Sequence, residues 1–231
     1  MNIKEQAIKY KRQTASRYLP IDATEITSKI MEADFYSVST KLDGHLYLLG
    51  YNGKDLELIN HGGNSIADLP LLNEALTLLK ANCKEVLLAG ELYLHSDGKR
   101  TRNFDLVAAL SVKSPDIRFA AFDIISFEGK DVNFDIKALN EKLSSLLAGG
   151  ISVHPVNCSI VESRTDILAL YENIVVKSNN TTVISYCNIS VTNNNSIIIP
   201  SIASLNNVNE SLPCNISQCS VTTRNYYSIY V

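Results

Sequence analysis

Lys41 lies in the stretch STKLDGHLYLLGY, Ser39 to Tyr51, at the end of an apolar strand and two residues before Asp43-Gly44. An amine so placed could act as a nucleophile, but only when unprotonated. Free lysine has a pKa of about 10.4 and is almost wholly protonated at neutral pH. Burial at a strand end and nearby positive charge are the two routes by which a chain makes such an amine reactive. Three further segments carry side chains that could serve it. LLAGELYLH sets Glu91 inside an otherwise apolar strand, FAAFDII (119–125) holds Phe122 and Asp123, and YENIVVKS sets Glu172 just before an apolar strand ending at Lys177. Each residue also has a plainer reading. A lysine at a sheet edge deters aggregation, Glu91 could face solvent, Phe122 could be core, Glu172 could end a helix, and Lys177 could close a strand.

The elements that would position these groups can be read from periodicity. The alternation on both sides of Asp43-Gly44 predicts a β-hairpin, since Asp-Gly favours tight turns. Strands are expected at 35–41, 45–51, 55–60, 85–94, 118–126, 151–157 and 173–177, and a charged helix over 2–17. LLNEALTLLKAN (71–82) has helical spacing. So does DIKALNEKLSSLLAGG, where Ile136, Leu139, Leu143, Leu146 and Leu147 share one face, Asp135 is the N-cap and Gly149-Gly150 ends the helix. SRTDILALY (163–171) opens with a Ser-x-x-Asp cap pattern.

The bulk numbers bound the rest. A chain of 231 residues with 45% hydrophobic content suits one sizeable domain, or one domain with an appendage. A formal charge of −3 excludes a globally basic nucleic-acid binder while allowing a local basic patch. The five cysteines, Cys83, Cys158, Cys187, Cys214 and Cys219, have no zinc-like spacing. With no apolar N-terminal leader and no 18-residue apolar run, they read as reduced thiols of a cytoplasmic protein that does not meet a membrane. Up to Lys177 the composition is that of an ordinary mixed α and β domain. Residues 178–231 hold one basic residue, Arg224, and one acidic residue, Glu210, amid Asn, Ser, Thr, Ile and Val. The expected division is therefore a domain at 1–177 and an Asn/Ser/Ile-rich tail at 178–231, poorly ordered or a non-native continuation.

Taken together, Lys41-Leu42-Asp43-Gly44, Gly90-Glu91-Leu92, Phe122-Asp123 and Glu172-Asn-Ile-Val-Val-Lys177 follow one another in an order that resembles the covalent nucleotidyltransferases. Within that superfamily they resemble the adenylation domain of ATP-dependent DNA ligases, over roughly residues 30–177. The family pattern is Lys-x-Asp-Gly, a Gly-Glu-Leu segment, a Phe-Asp strand, then Glu-Gly, three apolar residues and Lys or Arg. The resemblance implies an α+β fold, with two largely antiparallel β-sheets and flanking helices forming a nucleotide cleft (ATP-grasp-like). It implies ATP and Mg²⁺ as cofactors, the metal preferring carboxylate oxygens and water. Lys41 would attack the α-phosphorus of ATP and carry AMP. Asp43 and Gly44 would shape the turn beside it, and Glu91 would touch the ribose or the metal. Phe122 would stack on adenine, Glu172 would bind metal and Lys177 would face phosphate.

The implied partner is nicked DNA, or RNA if the chain is an RNA ligase, acted on by a monomer in repair or replication. A non-catalytic binding remnant of a ligase is the reading from another class. The basic run DGKRTRNF (97–104), with Lys99, Arg100 and Arg102, is the local candidate for phosphate contacts. In ELINHGGNSIADLP (57–70), Asn60-His61 stand where the family has a Ser-Arg turn that helps bind nucleic acid. Other departures are Leu46 in place of an arginine, Ala89 in place of a polar residue before Gly-Glu, and Asn173 in place of glycine. Downstream of Lys177 there is no lysine, so the family's Lys-x-Lys strand and its OB-fold continuation are missing. The resemblance ends where the composition breaks, which suggests that residues from about 178 are a frameshifted or rearranged reading.

Overall fold

The computed structural model describes residues 3–15, 18–96, 101–170, 187–193 and 223–229. In chain order the elements are α1 (Ile3–Ala15), β1 (Tyr18–Ile21), a 3-10 turn (Ala23–Glu25), α2 (Ile26–Lys29), β2 (Tyr36–Thr40), β3 (His45–Tyr51), β4 (Leu56–Asn60), β5 (Ser65–Ile66), α3 (Leu71–Asn82) and β6 (Val86–Leu94). They continue with α4 (Asn103–Ser111), β7 (Ile117–Phe127), β8 (Lys130–Asp131), α5 (Ile136–Leu146), β9 (Val153–Pro155) and β10 (Cys158–Val161). A helix α6 covers 164–170, and β11 (Cys187–Asn193) and β12 (Thr223–Ile229) follow.

Two sheets result. The larger runs β5-β4-β3-β6-β7-β8, antiparallel throughout, with β9 added parallel to β7. The smaller runs β1-β12-β11-β2-β10 and is antiparallel except for the β1–β12 pair. With helices packed on them, this is the expected α+β arrangement of two largely antiparallel sheets.

The large sheet buries both faces. Alternation along β3, β6 and β7 sends Leu49, Leu88, Leu92, Phe119 and Ala121 to one side, where the apolar stripes of α3, α4 and α5 cover them. In α5 the stripe is Ile136, Leu139, Leu143 and Leu146, and the Asp135 carboxylate caps the helix by accepting from the Ala138 N–H at 2.8 Å. Fully burying each such leucine contributes roughly 1.5–3 kcal/mol. On the opposite face, Leu48, Ile59, Leu87 and Ala89 pack against Ala7 of α1, with Ile3, Tyr10, Phe122 and Ile125 around them. The small sheet has its own core of Ile21, Ile26, Ile30, Tyr36, Val38 and Ile167. There the Tyr36 hydroxyl accepts from the Ala33 N–H and donates to the Met31 carbonyl, both at 3.1 Å.

The hairpin expected at Asp43-Gly44 does not form. β2 pairs with β10 and β11 in the small sheet, whereas β3 pairs with β4 and β6 in the large one. Residues 41–44 are the crossing between sheets. Gly44 is absent from the glycines with positive φ, so the turn geometry that the dipeptide usually signals is not what it supplies. A Cβ on Gly44 would instead collide with the Leu92 carbonyl oxygen, so the glycine serves close approach.

Helix α4 was not expected. Its sequence NFDLVAALS buries Leu106 and Ala109 but leaves Phe104 65% and Val107 56% exposed, so its apolar residues do not mark one clean face. β1, α2, β5, β8 and β10 were also not expected; all are short, and β1 and β10 are fixed by strands remote in sequence, β12 and β2. From the region 178–231, β11 and β12 lie beside β2 and β1 in the small sheet. The strand expected at 173–177 lies outside the described residues.

Candidate functional site

Lys41, Asp43, Gly44 and Glu91 come together although Glu91 belongs to a different strand. β3 pairs with β6 so that Leu46 lies opposite Glu91 and His45 opposite Leu92. The crossing segment therefore passes over the end of β6, and the Gly44 N–H donates to Glu91 Oε1 at 3.1 Å. Gly90 precedes Glu91 for a steric reason. A Cβ there would meet the Phe119 ring and, at 2.6 Å, the Ala120 carbonyl oxygen, where the β6–β7 register shifts.

Burial pushes the Glu91 carboxyl up to about 7. The Lys41 charge and the Gly44 N–H oppose that shift, while the Asp43 charge adds to it. Lys41 and Asp43 are thus both within electrostatic reach of Glu91, and each is half-buried. The arrangement can hold a carboxyl group that exchanges its proton near neutrality beside a lysine amine.

Phe122 sits on β7 on the same side of the sheet as Ala89, half-buried in the cluster that includes Ala7 and Tyr10. Its neighbour Asp123 is buried. One Asp123 oxygen accepts from the Tyr10 hydroxyl at 2.9 Å and the other from the Ile124 N–H at 2.9 Å. Helix α1 therefore ties down the strand that carries Phe122, a link with no local signal because Tyr10 and Asp123 are 113 residues apart.

Arg102 is exposed at the start of α4, where its backbone N–H donates to Asp105 Oδ2 at 2.8 Å. Lys99, Arg100, Glu172 and Lys177 lie outside the described residues. In the turn after β4, Asn60 Oδ1 accepts from the Gly62 and Asn64 N–H groups, both at 2.9 Å. Burial, with the charges of Lys11 and His45, pushes the His61 imidazole below its ordinary pKa.

Sequence reasoning did not single out Tyr93, Arg118 or His154, which adjoin Glu91 on the same sheet face. A polar residue two places from Glu91 in an apolar strand was the available sign. Among the described residues no group of three or more His, Cys, Asp or Glu side chains could hold a metal. No helix among them is long and apolar enough to cross a membrane.

The two-sheet fold is that of ATP-dependent DNA ligases. The structure of the ATP-dependent DNA ligase from bacteriophage T7 in complex with ATP superposes with a TM-score of 0.51 at 13% identity, over 76% of this chain and 63% of that one. A structure described as Pmar-Lig_Pre. matches with a TM-score of 0.53 at 16% identity, over 78% of this chain and 45% of that one. The chain spans about half the length of such structures, 49% and 52% of two ligase D chains. No family model matches the sequence, and no curated protein does.

Proposed function

We propose that the chain is a ligase-type nucleotidyltransferase that adenylates Lys41 with ATP and passes the AMP to a 5′-phosphate at a nick in DNA. The observation that carries this reading is the convergence of Lys41, Asp43 and Gly44 on Glu91 across two sheets, in the fold of ATP-dependent DNA ligases. The Lys41 amine attacks the α-phosphorus, its N–P bond forms as the bond to the β-phosphate breaks, and pyrophosphate leaves. The nucleic-acid 5′-phosphate then attacks the same phosphorus and releases the amine.

Glu91 would hold the Gly44 backbone and, ionised, face the ribose or a metal. Phe122 would stack on adenine and Lys177 would face phosphate. Mg²⁺ is commonly bound by one or two carboxylates together with substrate phosphates, and Glu91 and Glu172 would supply them, with Asp43 shaping the turn beside Lys41. When bound, the ion neutralises charge on the departing pyrophosphate. Lys99, Arg100 and Arg102 would contact the nucleic-acid backbone, and a role in repair or replication follows from nick sealing.

The test is incubation with α-³²P-ATP and Mg²⁺ followed by a denaturing gel, with Lys41→Ala and Lys41→Arg in parallel. A labelled band abolished by both substitutions is expected, because an arginine keeps the charge but not the nucleophile. No label on folded wild-type protein would overturn the reading.

A further inference from the structure

Helix α1 lies on the face of the large sheet that carries Ala89 and, two residues on, Glu91, and it runs toward the Glu91 end. Its packed side has Ile3, Ala7 and Tyr10 at helical spacing. Ile3 sits where Gly50 leaves room, since a Cβ on that glycine would collide with the Ile3 side chain. Ala7 packs with Leu48 and Ile59, a cross-strand pair of β3 and β4. The course from Gly50 to Leu48 leads next to Leu46, which pairs with Glu91. One helical turn beyond Ala7 is Lys11. Two lateral contacts hold this course. The Tyr10 hydroxyl donates to Asp123 on β7 at 2.9 Å, and the Lys4 stem lies on Gly63, where a Cβ would come within 2.6 Å of Lys4 Cε.

The end of α1 that points along this course is cationic. The whole chain has a formal charge of −3, yet α1 holds Lys4, Lys9, Lys11 and Arg12 against Glu5 alone. Lys9, Lys11 and Arg12 are exposed, and none of the ion pairs among the described residues uses them. Two imidazoles reach the same region from other elements. Tyr47 pairs with Asn60, so His45 and His61, just past that pair, leave the β3–β4 ladder at one end. His61 is exposed and His45 half-buried. Burial first, then the charges of Lys11 and His45, lowers the His61 pKa.

The helix dipole favours a cation such as Arg12 in the last turn. It does not account for histidines brought toward Lys11 from another element, where like charges repel. Cations that oppose one another in the free protein gain when an anion lies across them. Their distribution suits a polymer of phosphates better than one compact anion. Lys9 and Arg12, three residues apart, share one side of the helix, whereas Lys11, seven residues from Lys4, shares the side that meets the turn after β4.

We propose that the last two turns of α1, through Lys9, Lys11 and Arg12 and together with His61, form a binding surface for a nucleic-acid backbone leading to the Glu91 site. Phosphate contacts position a strand without reading its sequence, and these would set its path along the sheet toward Lys41. That the strand is nicked DNA rests on the nucleotidyltransferase reading; the cationic surface does not.

The probe is a nicked duplex with a 5′-hydroxyl at the nick, which cannot accept AMP. Its binding is read by fluorescence anisotropy, without ATP, across a salt series. Each lost phosphate contact removes about one from the slope of log affinity against log salt. Lys11→Gln and Arg12→Gln should each flatten the slope and weaken binding about fivefold at about 0.1 M salt, and the double variant about 25-fold. Arg12→Lys keeps the charge and should stay near wild type. So should Lys113→Gln, which follows α4 on the other face of the sheet. A double variant of wild-type melting temperature with unchanged affinity and slope would overturn the surface. So would wild-type protein that does not bind the duplex, or an equal loss in Lys113→Gln. Absent labelling of Lys41 alongside binding that depends on Lys11 and Arg12 would sink the adenylation reading and leave this surface standing. Labelled Lys41 with unchanged binding in the double variant would do the reverse.

Discussion

The backbone N–H of Gly44 donates to the Glu91 carboxylate at 3.1 Å across 47 residues of sequence, joining the segment between the two sheets to the middle of the larger one. This one bond sets Lys41 beside Glu91, because Lys41 is three residues from the donor. It also explains the glycine, since the Gly44 backbone lies against the Leu92 carbonyl.

Gly44→Ala should break this contact. The added Cβ meets backbone atoms of Leu92 and the Glu91 Cγ at 3.0 Å, and β6, which carries both, is paired on either side by β3 and β7. A loss of about 1–3 kcal/mol is expected in urea unfolding, with labelling at Lys41 abolished even where the protein still folds. An Ala variant with wild-type stability would show that the crossing segment yields without cost.

Glu91 should make stability depend on pH in an unusual direction for a carboxylate. Its ordinary pKa is 4.5, and in the fold it is about 7. Between those values the folded chain holds a proton that the unfolded chain has released, so stability is highest below pH 4.5 and falls as pH rises through 7. The total is about 3 kcal/mol at about 1.4 kcal/mol per unit. Glu91→Gln keeps an acceptor for Gly44 but cannot ionise. It should therefore match wild type near pH 4.5 and exceed it at pH 8; parallel profiles would refute this. Lys41→Ala should raise the Glu91 pKa further, because the Lys41 charge lowers it. A carboxylate-specific NMR titration would detect that shift.

Glu74 should prove a structural carboxylate. One oxygen accepts from the Ile151, Ser152 and Val153 N–H groups at 2.5, 2.9 and 3.1 Å, pinning the chain that leads into β9. Glu74→Ala strands these donors and should cost about 2–3 kcal/mol, while Glu74→Gln, with an oxygen still in reach, should cost less. Equal losses in chemical denaturation would mean that charge, not the acceptor, matters.

Cys83 should be a slow thiol. Burial, with the Glu128 charge, pushes it up to about 11, and only the thiolate reacts. Iodoacetamide at pH 8 should modify Cys83 in folded protein on the order of 100-fold more slowly than in urea. Peptide-resolved mass spectrometry reads the two rates, and similar rates would contradict the shift.

What the sequence determined by itself is local. Leu71–Asn82 and Ile136–Leu146 are helices because their leucines recur at helical spacing, and β3, β4 and β6 are strands because each is a short, largely apolar run without helical periodicity. Lys41, Glu91 and Phe122 could be picked out because a charged group in an apolar strand, and a family order of motifs, are properties of the chain read in line. The tertiary structure alone decided that Asp43-Gly44 crosses between sheets instead of closing a hairpin. A turn signal reports local backbone preference, whereas strand partners are chosen by burial across the whole fold. It also decided that Tyr10 holds Asp123, and that Tyr93 meets His154 beside Glu91. Those contacts join residues far apart in sequence, and their geometry exists only once β6, β7 and β9 lie side by side.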